Sequence, residues 1–157
     1  MAVTAYFQPK FIQDQMGKKT INLTSDTLKV GLIASGTLAA RGTSEGYEFV
    51  SDLLANGGSA LTEVSTSGTG YTRQSLTSVT LTVSALVVTF TAANPSWSAA
   101  TFSTVYGWIH DETASSGTDA TRPLICLWDF GGTQSVSGAT FTLTVNASGL
   151  ATFTAAA

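Results

Sequence analysis

The sequence predicts an all-β protein: a single-domain antiparallel β-sandwich, jelly-roll-like, over residues 1–157, with one or two short helices near its N-terminal half. Two observations carry this prediction. From Tyr71 onward, short runs rich in β-branched and aromatic residues are separated by turn-forming residues about every 8–12 positions, a spacing typical of sandwiches and barrels. The clearest of these runs lie between Thr104 and Phe130, and the rest of the chain is interpreted around them.

The stretch from Thr104 to Phe130 reads as a hairpin, in which TVYGWIHD and PLICLWDF flank the polar excursion ETASSGTDATR. Neither apolar run has a clean polar face, so both strands should be covered on both sides. We therefore expect the hydrophobic core to be centred on Trp108, Leu124, Cys126 and Trp128, with Val88, Phe90, Phe141 and Leu143 packed nearby.

Two short helices are expected before this hairpin. Residues 1–17 are interpreted as an N-terminal arm with a helix at 9–16, which begins at a proline and ends before a glycine. A second helix is expected within 47–55 and should end at the Asn-Gly-Gly that begins at Asn56. Its apolar residues follow helical spacing at Phe49, Val50, Leu53 and Leu54.

The remaining runs read as strands. They are expected at 20–23, 27–34, 60–64, 79–83, 86–92, 140–145 and 150–154. A turn at Ser25 and Asp26 should join the first two, and the inward face of the second should carry Leu28, Val30 and Leu32. Residues 131–138, rich in glycine and serine, read as a loop, and the last two strands read as a closing hairpin.

Composition narrows the range of functions. Only 11% of the residues are charged, against about 25% in a typical soluble domain. A surface this poor in charge favours permanent packing against partners, since charge is what usually keeps monomers apart. The net charge of −3 argues against a nucleic-acid partner. The start of the chain lacks the pattern of a signal peptide and no apolar run is long enough to span a bilayer, so we expect a cytoplasmically made protein that is not inserted in a membrane.

The sequence offers few groups for catalysis, and we expect no enzyme, no cofactor and no metal. His110 is the only histidine and is interpreted as a strand-end residue hydrogen-bonded into the following loop. Asp111, Glu112 and Asp119 flank that loop and could hold calcium, but no calcium-loop spacing is present and a solvated acidic loop is the preferred interpretation. Cys126 alternates with apolar residues and is interpreted as a small buried hydrophobic residue.

Two further motifs are weak. The glycines of SGTGYTR at 67–73 lack the Lys-Ser/Thr and the helix of a phosphate loop. Asn-X-Ser/Thr triplets begin at Asn22 and Asn146, but glycosylation needs a secretory route that the sequence does not indicate. Trp97 is interpreted as a surface residue that, with the strand aromatics, could line a sugar-binding face. Core packing of the strand aromatics is the preferred interpretation.

The order of these elements resembles the small structural proteins of tailed bacteriophages that are known as capsid decoration or cement proteins. The matching segments cover most of the chain, and the resemblance lies in their order: TSDTLKVGLIAS (24–35), YEFVSDLLA (47–55), VTFTA (88–92), the 105–130 hairpin and FTLTVNASGLATFT (141–154). The long stretch rich in glycine and serine at 56–70 departs from the usual pattern of that family.

The resemblance implies a virion protein on the outside of the capsid, made in the host bacterial cytoplasm. Its implied partners are the major capsid protein and other copies of itself, with no direct contact to nucleic acid or membrane. The family has no catalytic residues to carry over. Two alternatives stay open: a tail or baseplate component of the phage, and a carbohydrate-binding β-sandwich module, which would need an exposed aromatic cluster.

Overall fold

The computed structural model of the protein describes residues 4–7, 21–39, 46–84, 87–114, 116–146 and 149–154, with the backbone alone at 4–7 and 151–154. One α-helix, α1, spans Val50–Ala55 and continues into a 3-10 turn at Asn56–Gly58. The strands are β1 Thr4–Phe7, β2 Leu28–Ser35, β3 Thr62–Glu63, β4 Gln74–Ser75, β5 Thr80–Ser84, β6 Val87–Thr91, β7 Ser96–Asp111, β8 Leu124–Thr142 and β9 Ala151–Thr154.

The strands form two antiparallel sheets, which confirms the predicted all-β class. The larger sheet has the order β1-β8-β7-β2-β3, with β4 also paired to β2, and the smaller has the order β5-β6-β9. Phe90 of the small sheet shares a buried cluster with Trp128 of the large one, so the two sheets enclose a common core. The sheets contain six and three strands, so the likeness to a jelly roll is limited to this two-sheet arrangement.

Strand β2 lies between β7 and the short edge strands, and its position explains its apolar sequence. Leu28, Val30 and Leu32 are buried toward the inter-sheet core, as predicted, while Ile33 is buried on the opposite face. Gly31 is opposite Trp108 in the register, and a Cβ at this glycine would lie 2.1 Å from Cζ2 of that indole. Only glycine leaves room for the ring to cross the strand at this point.

The buried residues fall into two clusters on opposite faces of the large sheet. Cys126 and Trp128 belong to the inter-sheet core, together with Phe90 and Leu143 and with Phe141 at its margin. Trp108 and Leu124 belong to a smaller cluster beneath α1. The predicted core residues of the hairpin are therefore buried, but the expectation of one common centre is wrong. The register of β8 against β7 shifts between Ile109 and His110, and this irregularity puts Leu124 on the opposite face from Cys126.

The hairpin of β7 and β8 is longer than predicted, and the loop expected at 131–138 is wrong. These residues continue β8 and pair with β7, with Phe102 opposite Val136 and Thr104 opposite Gln134. The register shifts between Ala100 and Phe102 and again between Thr104 and Tyr106, as happens at β-bulges. Three glycines of this stretch have positive φ, which explains why a bulged strand has the composition of a loop.

The predicted closing hairpin is also wrong. β8 ends at Thr142, and β9 pairs with β6, so that Val88 is opposite Phe153. The turn between them is present in part, since the amide of Gly149 donates to the carbonyl of Asn146 at 2.8 Å, although residues 147–148 lie outside the described residues. Sequence alternation indicates a strand but does not identify its partner.

The N-terminal predictions have mixed outcomes. The helix at 9–16 lies outside the described residues. Residues 4–7 of the predicted arm form β1, which pairs with β8 at the edge of the large sheet. The strand at 20–23 is wrong for its described residues 21–23, which lead into a turn where the amides of Ser25 and Asp26 both donate to the carbonyl of Asn22.

The middle predictions are confirmed. α1 lies within 47–55, buries Val50 and Leu53, and ends at Asn56 in the left-handed region, with φ of 46°. β3 lies within the predicted strand at 60–64 and at the edge of the sheet. The helices in the described part of the chain fall short of the length and hydropathy that a membrane span needs.

Candidate functional site

Most of the described charged side chains gather around the closed end of the β7–β8 hairpin, and we call this set the charged end. It consists of Lys29, Glu63, Arg73, Glu112, Asp119 and Arg122. They come from β2, β3, the segment before β4 and the loop that joins β7 to β8.

Arg73 lies at the centre of the charged end. Its guanidinium donates two hydrogen bonds to Glu63, at 2.9 and 2.7 Å, and two to Asp119, at 2.6 and 2.9 Å. It also lies 5.2 Å from the ring centroid of Trp108. Two bidentate pairs and a stacked ring form the arrangement that arginine supports better than lysine. This role of Arg73 could not be predicted from the sequence, because Asp119 is far away along the chain.

Arg122 also forms ion pairs with two carboxylates, next to those of Arg73. It donates to Glu112 at 2.6 and 2.8 Å and to Asp119 at 2.9 Å, while Lys29 lies 3.6 Å from Glu112. The Arg122 guanidinium lowers the pKa of Glu112 to about 2, with smaller help from His110 and Lys29. Arg73 lowers the pKa of Asp119. Both carboxylates therefore stay ionised and bound to arginine, and the loop between the strands is held to the sheet.

His110 lies buried at the end of β7, beside this network. Trp108 donates from Nε1 to Nδ1 of His110 at 3.2 Å, so Nδ1 is the acceptor and Nε2 carries the hydrogen that faces Glu112 at 3.2 Å. Burial lowers the pKa of the imidazole to about 4, with the charge of Arg73 acting in the same direction. The prediction of a strand-end histidine hydrogen-bonded into the following segment is confirmed.

The three carboxylates weighed as calcium ligands are not brought together. Glu112 and Asp119 are bound to arginine and Asp111 has no exposed surface, so the interpretation of a solvated acidic loop is wrong for all three. Asp111 is buried and faces Asp26 instead, and burial, with the charge of Asp26 added, raises its pKa to about 6. Among the described residues no group of three or more His, Cys, Asp or Glu side chains is placed to hold a metal ion.

The remaining sequence candidates are part of the framework. Cys126 is fully buried, as predicted, and burial raises the pKa of its thiol to about 12. Residues 67–70 form a loop. The side chain of Asn22 accepts hydrogen bonds from the amide and hydroxyl of Thr24 at 3.2 and 2.8 Å, within the turn.

Trp97 is buried, and its prediction as a surface residue is wrong. Its Nε1 donates to the carbonyl of Thr72 at 2.7 Å. Its ring packs with three other aromatic rings, those of Tyr71, Phe102 and Phe141. This aromatic group lies under the outer half of the β7–β8 hairpin, where edge-to-face contacts such as Phe102 with Phe141 stiffen the sheet.

The outer half of this hairpin and the small sheet have no charge in their sequence, and we call them the uncharged lobe. It comprises β5, β6, β9, residues 96–104 of β7 and residues 131–142 of β8. No Asp, Glu, Lys or Arg occurs between Arg73 and Asp111 or after Asp129. The segregation of charge to one end of the hairpin was not evident from the composition, which reports only the total.

The surface of the uncharged lobe is rich in hydroxyl groups and includes exposed aliphatic side chains. Every residue of β5 is exposed, and Leu81 and Val83 are the exposed large hydrophobic residues of the described chain, at 39% and 74%. They continue the same sheet face as the buried Phe90, since Leu81 is opposite Phe90 and Val83 is opposite Val88. The apolar face of the small sheet thus passes from the core to the surface.

β5 is also an end strand of its sheet, with β6 as its partner in the described structure. Its sequence TLTVS contains no charge and no proline, which are the usual protections of an exposed strand edge. An edge of this kind can accept a strand from another chain.

The fold and these two regions define an all-β protein of two antiparallel sheets, with an internally paired charged end and an exposed uncharged lobe. Comparisons with protein-family models, with curated proteins and with solved structures found no match to this chain.

Proposed function

We propose that this protein decorates a phage capsid and stabilises it by binding the outer surface of the major capsid protein lattice. The observation that carries the proposal is the uncharged lobe, whose exposed residues present hydroxyl and aliphatic groups and whose β7–β8 part contains packed aromatic rings. The order of the sequence motifs, which resembles that of decoration proteins, supports the same function.

The lobe is suited to permanent burial. Removing a charged side chain from water is costly unless it is paired, whereas serine and threonine hydroxyls can exchange water for hydrogen bonds to a partner. Covering Leu81 and Val83 would add about 25 cal/mol for each Å² of apolar surface removed from water. A surface of this composition gains from contact and loses little on leaving the solvent.

The edge of β5 offers a second mode of contact. A strand of a capsid subunit could pair with it and satisfy the backbone groups that face away from β6. The loop between β7 and β8 is long enough to contact a neighbouring capsid subunit. Arg73 and Arg122 tie it to the sheet, however, so it is a weaker candidate for such a contact than β5.

A protein that binds the assembled lattice and not its separate subunits stabilises the shell by mass action. Many copies on one symmetric shell make a modest affinity for each site effective. The same surface would also serve a tail or baseplate component, and the test below separates these locations. The sugar-binding alternative gains no support from the described surface, whose exposed large hydrophobic residues are aliphatic and whose Trp97 is buried.

The test compares phage particles prepared with and without this protein. Both are heated while genome release is followed by the fluorescence of a DNA-binding dye, and the protein is located on the intact particle by electron microscopy. We expect particles with the protein to release DNA at a higher temperature and the protein to lie on the head. Equal release temperatures, or a location on the tail alone, would show that the proposal is wrong.

A further inference from the structure

A buried carboxylate oxygen at the end of β7 lacks a hydrogen-bond donor. Asp111 has no exposed surface, and its Oδ1 accepts from the amide of Ala114 at 3.0 Å. Its Oδ2 is the one buried side-chain nitrogen or oxygen without a hydrogen-bond partner in the described part of the chain. A buried acceptor without a hydrogen-bond donor destabilises the folded state, and such oxygens in proteins often have a partner of another kind, such as an ion or a water molecule.

A second carboxylate lies close to this side chain. Asp26 lies in the turn before β2, directly before a residue that is hydrogen-bonded to the segment after Asp111, and its charge acts with burial to raise the pKa of the Asp111 carboxyl. Its own oxygens are oriented by the amide of Asn22, at 2.5 Å, and the hydroxyl of Ser25, at 3.4 Å. Two ionised carboxylates close together repel each other unless a cation or a shared proton lies between them.

The described cations are engaged elsewhere. The ion pairs of Lys29, Arg73 and Arg122 in the described structure go to Glu63, Glu112 and Asp119, and none of these pairs includes Asp26 or Asp111. The two segments are also held together independently of their carboxylates. The amide of Glu112 donates to the carbonyl of Thr27 at 2.9 Å, and the amide of Thr27 donates to Oγ1 of Thr113 at 2.7 Å.

We propose that Asp26 and Asp111 bind a hard divalent cation of the calcium type between them. Carboxylate oxygens are the ligands such ions prefer, and the unpartnered Oδ2 of Asp111 supplies one of them in a fixed position. With two protein carboxylates, most of the remaining ligands are water. The site therefore belongs to the weak class, with a dissociation constant of about 10⁻⁴–10⁻³ M. The ion ties the turn at 22–26 to the end of β7.

This site differs from the one that the sequence suggested. Glu112 and Asp119 take no part in it, because arginine occupies both carboxylates. The proposal is also independent of any role on a capsid, since it concerns the isolated chain.

The test measures thermal unfolding of the purified protein after treatment with a chelator. Melting is followed with about 10 mM CaCl₂, with MgCl₂ at the same concentration, and with NaCl at matched ionic strength. For an ion at about ten times its dissociation constant, the expected rise in Tm with calcium is about 3–6 °C. Asp111→Asn and Asp26→Asn should each abolish that rise. Asp129→Asn, which removes an exposed carboxylate on β8, should keep it.

The proposal fails if neither calcium nor magnesium raises the Tm above the NaCl control, or if the rise persists in both site variants. A wild type insensitive to both ions, together with an Asp111→Asn variant that melts higher at neutral pH, would mean that the carboxyls share a proton, and the cation site would be wrong. Should Asp111→Asn fail to fold, the half-exposed Asp26→Asn provides the same comparison, and calorimetric titration of the wild type with CaCl₂ measures binding directly.

Discussion

Strands β2 and β5 have similar apolar sequences but opposite environments. In β2, Leu28, Val30 and Leu32 are buried. This strand has β7 on one side and β3 and β4 on the other, and other residues of the chain cover both of its faces. In β5, Leu81 and Val83 are exposed, because the strand lies at the end of the small sheet and extends past its core. The pattern of a strand therefore reports that it has an apolar face, and its neighbours decide whether that face is core or surface.

The same contrast separates the charged end from the uncharged lobe. At the charged end the ionic groups satisfy each other within the chain, whereas the lobe presents hydroxyl and aliphatic groups to the outside. If this division is correct, changes at the buried and charged end should affect stability, and changes on β5 should affect binding to a partner.

The largest effect is expected for Trp128→Ala, in the inter-sheet core. The ring is almost fully buried, so its removal should lower the free energy of unfolding by about 3–5 kcal/mol. Denaturant titration followed by circular dichroism would measure this. An unchanged midpoint would contradict the placement of Trp128 in the core.

A smaller loss is expected for Arg73→Met. The change leaves Glu63 and Asp119 without their bidentate partner and should cost about 2–3 kcal/mol. Lys29→Met provides the matched control, since Lys29 makes a single partly exposed contact of 3.6 Å and its loss should cost about 0–1 kcal/mol. Equal losses in the two variants would mean that the network does not hold the loop.

His110 should make the protein sensitive to acid. Its pKa in the folded state is about 4, below the ordinary value of 6.5, so the unfolded chain binds the proton more tightly. The stability contributed by the neutral imidazole is complete above about pH 6.5 and is lost as the pH falls toward 4. Relative to its own value at pH 7.5, wild type should lose about 1–3 kcal/mol more than His110→Gln by pH 4.5.

The comparison of wild type with His110→Gln also controls for the titration of Asp111. The raised pKa of Asp111 has the opposite effect, since its contribution is present at low pH and is lost as the pH rises through about 6. Both proteins contain Asp111, so its effect cancels in the difference. Parallel pH profiles for the two proteins would show that His110 titrates as an ordinary exposed histidine.

The smallest effect on stability is expected on β5. Val83→Ser changes a side chain that is 74% exposed, and the free energy of unfolding should change by no more than about 0.5 kcal/mol. Denaturant titration beside Trp128→Ala gives the comparison directly. A large loss would mean that β5 packs against more of the chain than its exposure indicates.

Local features of the fold were predictable from the sequence, and features that depend on distant partners were not. The helix at Val50–Ala55 and strand β2 follow from spacing within a few residues. The glycine and serine content of residues 131–138 predicts a loop, because both residues are poor strand formers, yet pairing with β7 overrides that preference. The pairing of β9 with β6 and the burial of Trp97 also depend on residues far apart in the chain.

The candidate site was predictable to a similar extent. His110 could be placed at a strand end from alternation alone, and its hydrogen bond confirms this. The contact of Asp26 with Asp111 could not be predicted, because no spacing relates the two residues. The position of Arg73 between Glu63 and Asp119 depends in the same way on three segments that only the folded sheet brings together.

Binding to phage particles stripped of this protein should distinguish the uncharged lobe from the rest of the surface when two lysine substitutions are compared. Val83→Lys places a charge on the uncharged lobe, and Thr66→Lys places the same charge at an exposed position in the loop before β4. We expect Val83→Lys to lose at least about tenfold in affinity, because the lysine must be buried without a partner, and Thr66→Lys to bind like wild type. Equal binding by both variants, or a greater loss for Thr66→Lys, would contradict the assignment of the uncharged lobe as the capsid-binding surface.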